Sequence, residues 1–275
     1  MRDGATNTIL EAHRMTTKKL RLDFDNLPLV EAAVRASLNG SKPLTYTLVN
    51  LVAHELGQLF PRLEEPKQLE VAPGSGETQI AIGSAYLPGA VYTGHKDGLS
   101  VSVQPQVIVS RWVRHPSLQN PNYPRFAALR DALWIAVEAF RKGCGDEYPG
   151  IGVVNMSYVN FVASRDPAGF LNTYFSPDSQ LRAMDQAQQV RKLEASWSEG
   201  DNLDVRFAIE QAAANLPEGV TPGFRLTTAA GLRLGESQDA KIGLDKVHDA
   251  LQEFFLSLIS ERAKKDWKLR EPING

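Results

Sequence analysis

The sequence predicts an α+β protein, with long helices packed on one face of an antiparallel sheet. Three observations predict it. Residues 150–162 send apolar side chains to both sides, with Ile151, Val153, Val159 and Phe161 on one face and Val154, Met156, Tyr158 and Val162 on the other, as an interior strand does. Long stretches with apolar residues at helical spacing occur only a few times, each beside a group of extended runs. Turn clusters such as Pro73-Gly-Ser-Gly76, Pro88-Gly89 and Lys96-Asp-Gly98 separate those runs by only a few residues, so neighbouring strands reverse direction.

Taken in order, residues 28–37 alternate Val30, Ala32, Val34 and Ala36 against Glu31, Arg35 and Ser37 and read as a first, half-exposed strand. Leu44, Leu48, Leu51, Val52, Leu56 and Leu59 then recur at helical spacing up to Phe60-Pro61, predicting an amphipathic helix. Shorter extended pieces follow at 68–72, 79–86, 90–95 and 99–109, the last with Ser100, Ser102 and Gln104 on its polar side. A second helix carries Phe126, Leu129, Leu133, Val137 and Phe140 and ends at Gly143.

After the central strand come a short helical stretch from Asp166, a segment at 178–194 that reads as helix or insertion, and alternating runs at 203–211 and 223–234 that form a hairpin. A last helix runs from Gly243 with Leu244, Val247, Leu251, Phe254, Phe255, Leu258, Ile259 and Trp267 on its stripe. An antiparallel sheet with the helices on one face satisfies every amphipathic element at once. This order predicts one domain over 22–275, built as two related β-α-β-β-α halves at 22–147 and 148–268, behind a flexible N-terminal arm at 1–21.

Composition bounds the function. The 275 residues include 43% hydrophobic residues, and 30 Lys+Arg against 32 Asp+Glu leave a net charge of -2. A polybasic coat for nucleic acid or membrane needs a cationic excess that this chain lacks. The single cysteine, Cys144, cannot form an intrachain disulfide, and with no apolar leader or spanning run the expectation is a soluble, cytoplasmic protein.

Enzyme motifs are incomplete. His54-Glu-Leu-Gly-Gln58 places Gln58 where a zinc-binding helix needs a second imidazole. Gly74-Ser-Gly76 and Gly150-Ile-Gly152 lack the third glycine of a dinucleotide loop and any Walker lysine. Cys144 follows a helix end, where the dipole disfavours a thiolate. His248, Asp249 and Glu253 read as helix-surface residues. No cofactor, metal site or catalytic residue is assigned.

The binding candidates lie on the sheet. If helices cover one face, the hairpin turns Arg206, Glu210, Arg225, Thr227 and Arg233 to the other, together with Glu31 and Arg35 from the first strand. Four arginines there match carboxylates or phosphates; the competing reading is cross-strand Arg–Glu pairing on a solvated face. Trp112, flanked by Arg111 and Arg114, reads either as an aromatic platform for a base or anion or as a core edge. Tyr158 and Asn160, polar members of the central strand's second face, complete the set.

The pattern of the chain from Leu22 to Trp267 resembles a sporadically distributed, uncharacterised prokaryotic family of about 250–280 residues. Leu27-Pro-Leu-Val-Glu31, Met156-Ser-Tyr-Val-Asn160, and the closing Leu244, His248, Phe255 and Trp267 carry the resemblance. Family members usually have an arginine before the central aromatic, where this chain has Ser157. The resemblance implies the length and architecture, no established activity, and genes that travel with mobile or defence loci.

The leading expectation is a non-enzymatic binding or assembly subunit that docks a protein partner through the open sheet face. The alternatives are a nucleic-acid-binding subunit, using the basic N-terminal arm up to Arg21, Arg111, Trp112, Arg114 and the sheet arginines, and a hydrolase or nuclease assembled in three dimensions around His54, His95, His115 or His248.

Overall fold

The computed structural model describes residues 23–24, 28–64, 87–94, 98–114, 123–176, 192–200, 202–216 and 219–270. The expected arm at 1–21, the extended pieces at 68–72 and 79–86, and most of the 178–194 segment lie outside them.

Among the described residues nine strands form one sheet in the order β3-β4-β5-β6-β2-β7-β10-β9-β8. In sequence these are β2 (Leu29–Leu38), β3 (Arg62–Glu64), β4 (Ala90–Thr93), β5 (Leu99–Gln104), β6 (Val107–Val113), β7 (Ile151–Ala163), β8 (Lys192–Glu199), β9 (Leu203–Leu216) and β10 (Gly219–Arg233). Every pairing is antiparallel. β7 is interior, as its two apolar faces predict, held between β2 and β10. A separate two-stranded pair joins β1 (Asp23–Phe24) to β11 (Leu269–Arg270).

The long helices are α1 (Tyr46–Leu56), α2 (Arg125–Cys144) and α4 (Ala240–Leu258), with the shorter α3 (Pro167–Tyr174) and α5 (Glu261–Asp266). Thr45 caps α1 by accepting the Leu48 amide, and the Asp239 carboxylate caps α4 by accepting those of Lys241 and Ile242, each satisfying N–H groups the helix leaves open. The helices lie on the face of the sheet that presents Ala32, Val34, Ala36, Val154, Met156 and Ala230, all buried. The Tyr92 hydroxyl donates to the Val49 carbonyl (2.8 Å) and ties α1 to β4. No described helix is long and apolar enough to cross a membrane.

Among the described residues two apolar cores result. The larger lies under α1, α2 and the first half of α4; the smaller gathers Phe170, Phe175, Phe207, Phe224, Phe255 and Trp267 beneath α3, α5 and the end of α4. Between them the sheet turns Tyr158, Asn160 and Thr228 inward.

β3 and β8 are strands that the sequence reading did not include, the start of β8 overlapping the 178–194 segment read as helix or insertion, and two further elements differ from that reading. The run at 99–109 is two strands, since the chain reverses at Pro105-Gln106 between β5 and β6. Its alternation continues through the turn, so periodicity alone does not reveal the break. Pro105 brings no amide to the turn, and its carbonyl accepts from the Lys42 amide (2.8 Å). The last helix ends at Leu258, and Ile259 instead bridges to Phe175. Ser260 then caps α5, accepting the Ala263 amide (3.1 Å) and donating to the Thr173 carbonyl (2.5 Å). Trp267 therefore joins the smaller core from beyond α5, not from the α4 stripe.

Candidate functional site

Alternate residues of each strand face away from the helices, and the strand register orders them into rows. One row runs Arg111, Ala33, Ser157, Ala229, Arg206, and the next Val109, Arg35, Asn155, Gly231, Asp204. Beside them stand Glu31, Thr227, Arg225, Glu210 and Arg233. The sequence-predicted arginines Arg35, Arg111, Arg206, Arg225 and Arg233 thus share one face.

Some of those arginines already have partners. Arg111 grips Glu31 with a two-pronged bond, Nε to Oε1 at 2.9 Å and Nη2 to Oε2 at 2.8 Å. Ala33, in register with Arg111 on this face, has 0% exposure although no described helix lies on its side. Arg225 pairs with Glu210 directly across the hairpin (3.4 Å), and Lys192 with Glu194 (3.0 Å). Solvent screens such exposed pairs, so they add little to stability; their effect here is to neutralise part of the face. Among the described residues Arg35, Arg206 and Arg233 have no ion pair.

The remaining candidates lie elsewhere. Trp112 is 1% exposed on the helix side of β6, edge-on to the Tyr123 ring at 5.4 Å, so its ring is core and offers no platform. Arg114 is exposed just past β6, where its amide donates to the Val30 carbonyl (2.8 Å). Tyr158 and Asn160 point under the helices. The Tyr158 and Tyr123 hydroxyls lie 3.5 Å apart, and burial pushes Tyr123 up to about 12 and Tyr158 well above its ordinary value, so neither is a base at neutral pH. The buried Asn160 Oδ1 and Thr228 Oγ1 have no hydrogen-bond partner among the described residues.

Of the histidines, His54 is exposed on α1, and His95 and His115 lie outside the described residues. His248, a helix-surface residue by its sequence, has a side chain only 14% exposed. Its ring stacks flat on Phe126 at the start of α2, centroids 3.9 Å apart. The Gln252 amide donates to its Nε2 (2.9 Å), leaving Nδ1 to face Asp249 at 3.4 Å, so the ring is neutral with its proton on Nδ1.

Burial holds His248 below its ordinary value of 6.5, against the opposing pull of Asp249 and Asp245 and with help from Arg130. The unfolded chain therefore takes up this proton first on acidification. Its contribution to stability is complete above about pH 6.5 and is lost as pH falls through the lower folded value. Thermal melts from neutral pH to about pH 5 should show wild type losing more stability than His248→Phe; parallel losses would refute the linkage.

On the outer side of α2 and α4, two adjoining grooves of about 750 and 560 Å³ share Trp134, Glu138 and Lys241. Several of their charged side chains are engaged: Arg141 with Glu138 (2.7 Å), Arg130 with Asp245 (3.3 Å), and the Lys241 ammonium over the Trp134 ring at 5.9 Å. Among the described residues no three His, Cys, Asp or Glu side chains are grouped to hold a metal ion.

The periodicity argument found the shared arginine face. It could not separate paired from unpaired arginines, because pairing depends on cross-strand register. It also missed the His248–Phe126 stack, which joins residues of two distant helices. No family model and no curated protein matches the chain.

Proposed function

We propose that the protein is a non-enzymatic docking subunit that binds a protein partner through the uncovered face of its sheet. The observation that carries this reading is the charge pattern of that face: Glu31, Glu210, Glu194 and Asp204 are interleaved with the arginines, while Arg35, Arg206 and Arg233 are left without partners among the described residues. A mosaic of both signs suits a protein surface of complementary pattern. It suits a phosphate backbone less, because a continuous polyanion would run across the acids, and the interior position of Trp112 removes the base-stacking element of that alternative.

The strand order also supports two related halves. From the centre outward, β2, β6, β5 and β4 match β7, β10, β9 and β8 in position, and each half follows its first strand with a helix and closes on a long one. The proposed docking face would then span the axis relating them.

The test is purification of the tagged protein from its native cells after nuclease treatment. A stoichiometric protein should be retained by wild type and reduced at least about tenfold by Arg35→Glu with Arg206→Glu, surface changes that leave folding nearly unaltered. Recovery of nucleic acid alone, or a partner indifferent to both reversals, would overturn the reading.

A further inference from the structure

We propose that Gly231 keeps open a basin on this face, in which Arg35, Arg206 and Arg233 receive the carboxylates of an acidic segment of the partner; the inference rests on the docking reading and deepens it. Gly231 lies inside β10, paired with Asn155 and Asp204 in uninterrupted register, so it marks no bulge. It is not among the glycines with positive φ. Among the described residues, a Cβ built there would meet nothing nearer than the Asn155 Cβ at 3.6 Å and its Nδ2 at 3.7 Å, ordinary contacts. By contrast, a Cβ on Gly243 would come within 2.8 Å of Leu234, and one on Gly223 within 2.7 Å of the Phe161 ring. Neither backbone conformation nor packing therefore requires a glycine at 231, although one weakens a strand interior. What remains is close approach of another molecule from the uncovered side.

The surrounding groups indicate the chemistry of that molecule. Arg233 stands two residues along the same strand, Arg206 is the diagonal neighbour on β9, and Arg35 lies two strands away in the same row, beyond Asn155. Strand spacing and rise put all three Cα atoms within about 10 Å of Gly231, within reach of guanidinium side chains. The one acid in this group, Asp204, accepts the Ser198 hydroxyl at 2.5 Å. Three guanidinium groups around a position without a side chain match carboxylates through paired N–H donors. Glu31 and Glu210 lie further along the strands, outside the row that holds Gly231 and Arg35.

The probe is a fluorescein-labelled poly-glutamate peptide of about ten residues, titrated by anisotropy at low ionic strength. Gly231→Val is expected to fold with an unchanged or raised melting temperature, since a β-branched residue suits a strand, and to weaken peptide binding at least about tenfold. Arg206→Glu, at an exposed position, should weaken it similarly and guards against a folding defect in the first variant. Absence of peptide binding to wild type, or wild-type affinity in Gly231→Val, overturns the proposal. So does a single-stranded oligonucleotide of equal charge that binds more tightly and is equally sensitive to Gly231→Val. A captured partner that responds to the Arg35 and Arg206 reversals but not to Gly231→Val would sink this inference and leave the docking reading standing.

Discussion

Trp112→Ala is expected to destabilise the protein by about 3–5 kcal/mol, the range for removing a fully buried large aromatic. Trp112 is 1% exposed, sits in register between Leu99 and Ala32, and meets the Tyr123 ring edge-on. Its neighbours are held by strand pairing and cannot collapse into the space, so the cavity cost adds to the lost transfer energy. Melting should fall by roughly 10 °C for a chain of this size. A variant that melts like wild type but loses a ligand would instead return Trp112 to the role of a recognition platform.

Phe170→Ala should cost a similar amount, about 3–5 kcal/mol, from the other core. Phe170 is 1% exposed and stacks on Phe224 at 4.3 Å, with Tyr174 and Phe175 at its edges. It is the residue of α3 that joins that short helix to β10, and an eight-residue helix has little stability without such packing.

Although Tyr158, Asn160 and Thr228 separate the two cores, β7 and β10 run through both without interruption. Both variants are therefore expected to shift one common transition, the same by far-UV circular dichroism and tryptophan fluorescence. Two transitions, with Trp112→Ala moving one and Phe170→Ala the other, would mean that the cores unfold independently.

Much of this architecture was legible before the chain was folded. The two apolar faces of residues 151–162 could belong only to an interior strand, and β7 is one. The stripe of Leu129, Leu133, Val137 and Phe140 required a helix with one buried side, and α2 has it. Such patterns are local, because the period of a strand or helix is set by backbone geometry and can be read from neighbouring residues.

Legibility failed where a partner came from far along the chain. The reversal at Pro105 left the alternation undisturbed, and Ile259 leaves the helix to bridge Phe175.

The same division governs the candidate site. By itself the sequence determined that Arg35, Arg206, Arg225 and Arg233 alternate away from the apolar residues of their strands. Only the tertiary structure decided that Glu210 faces Arg225, that Glu31 reaches Arg111, and that Arg35, Arg206 and Arg233 stand within two strands of Gly231 on one face. The physical reason is that alternation within a strand follows from its own dihedral angles, whereas register between strands is a property of the assembled sheet and is chosen by the burial of its opposite face.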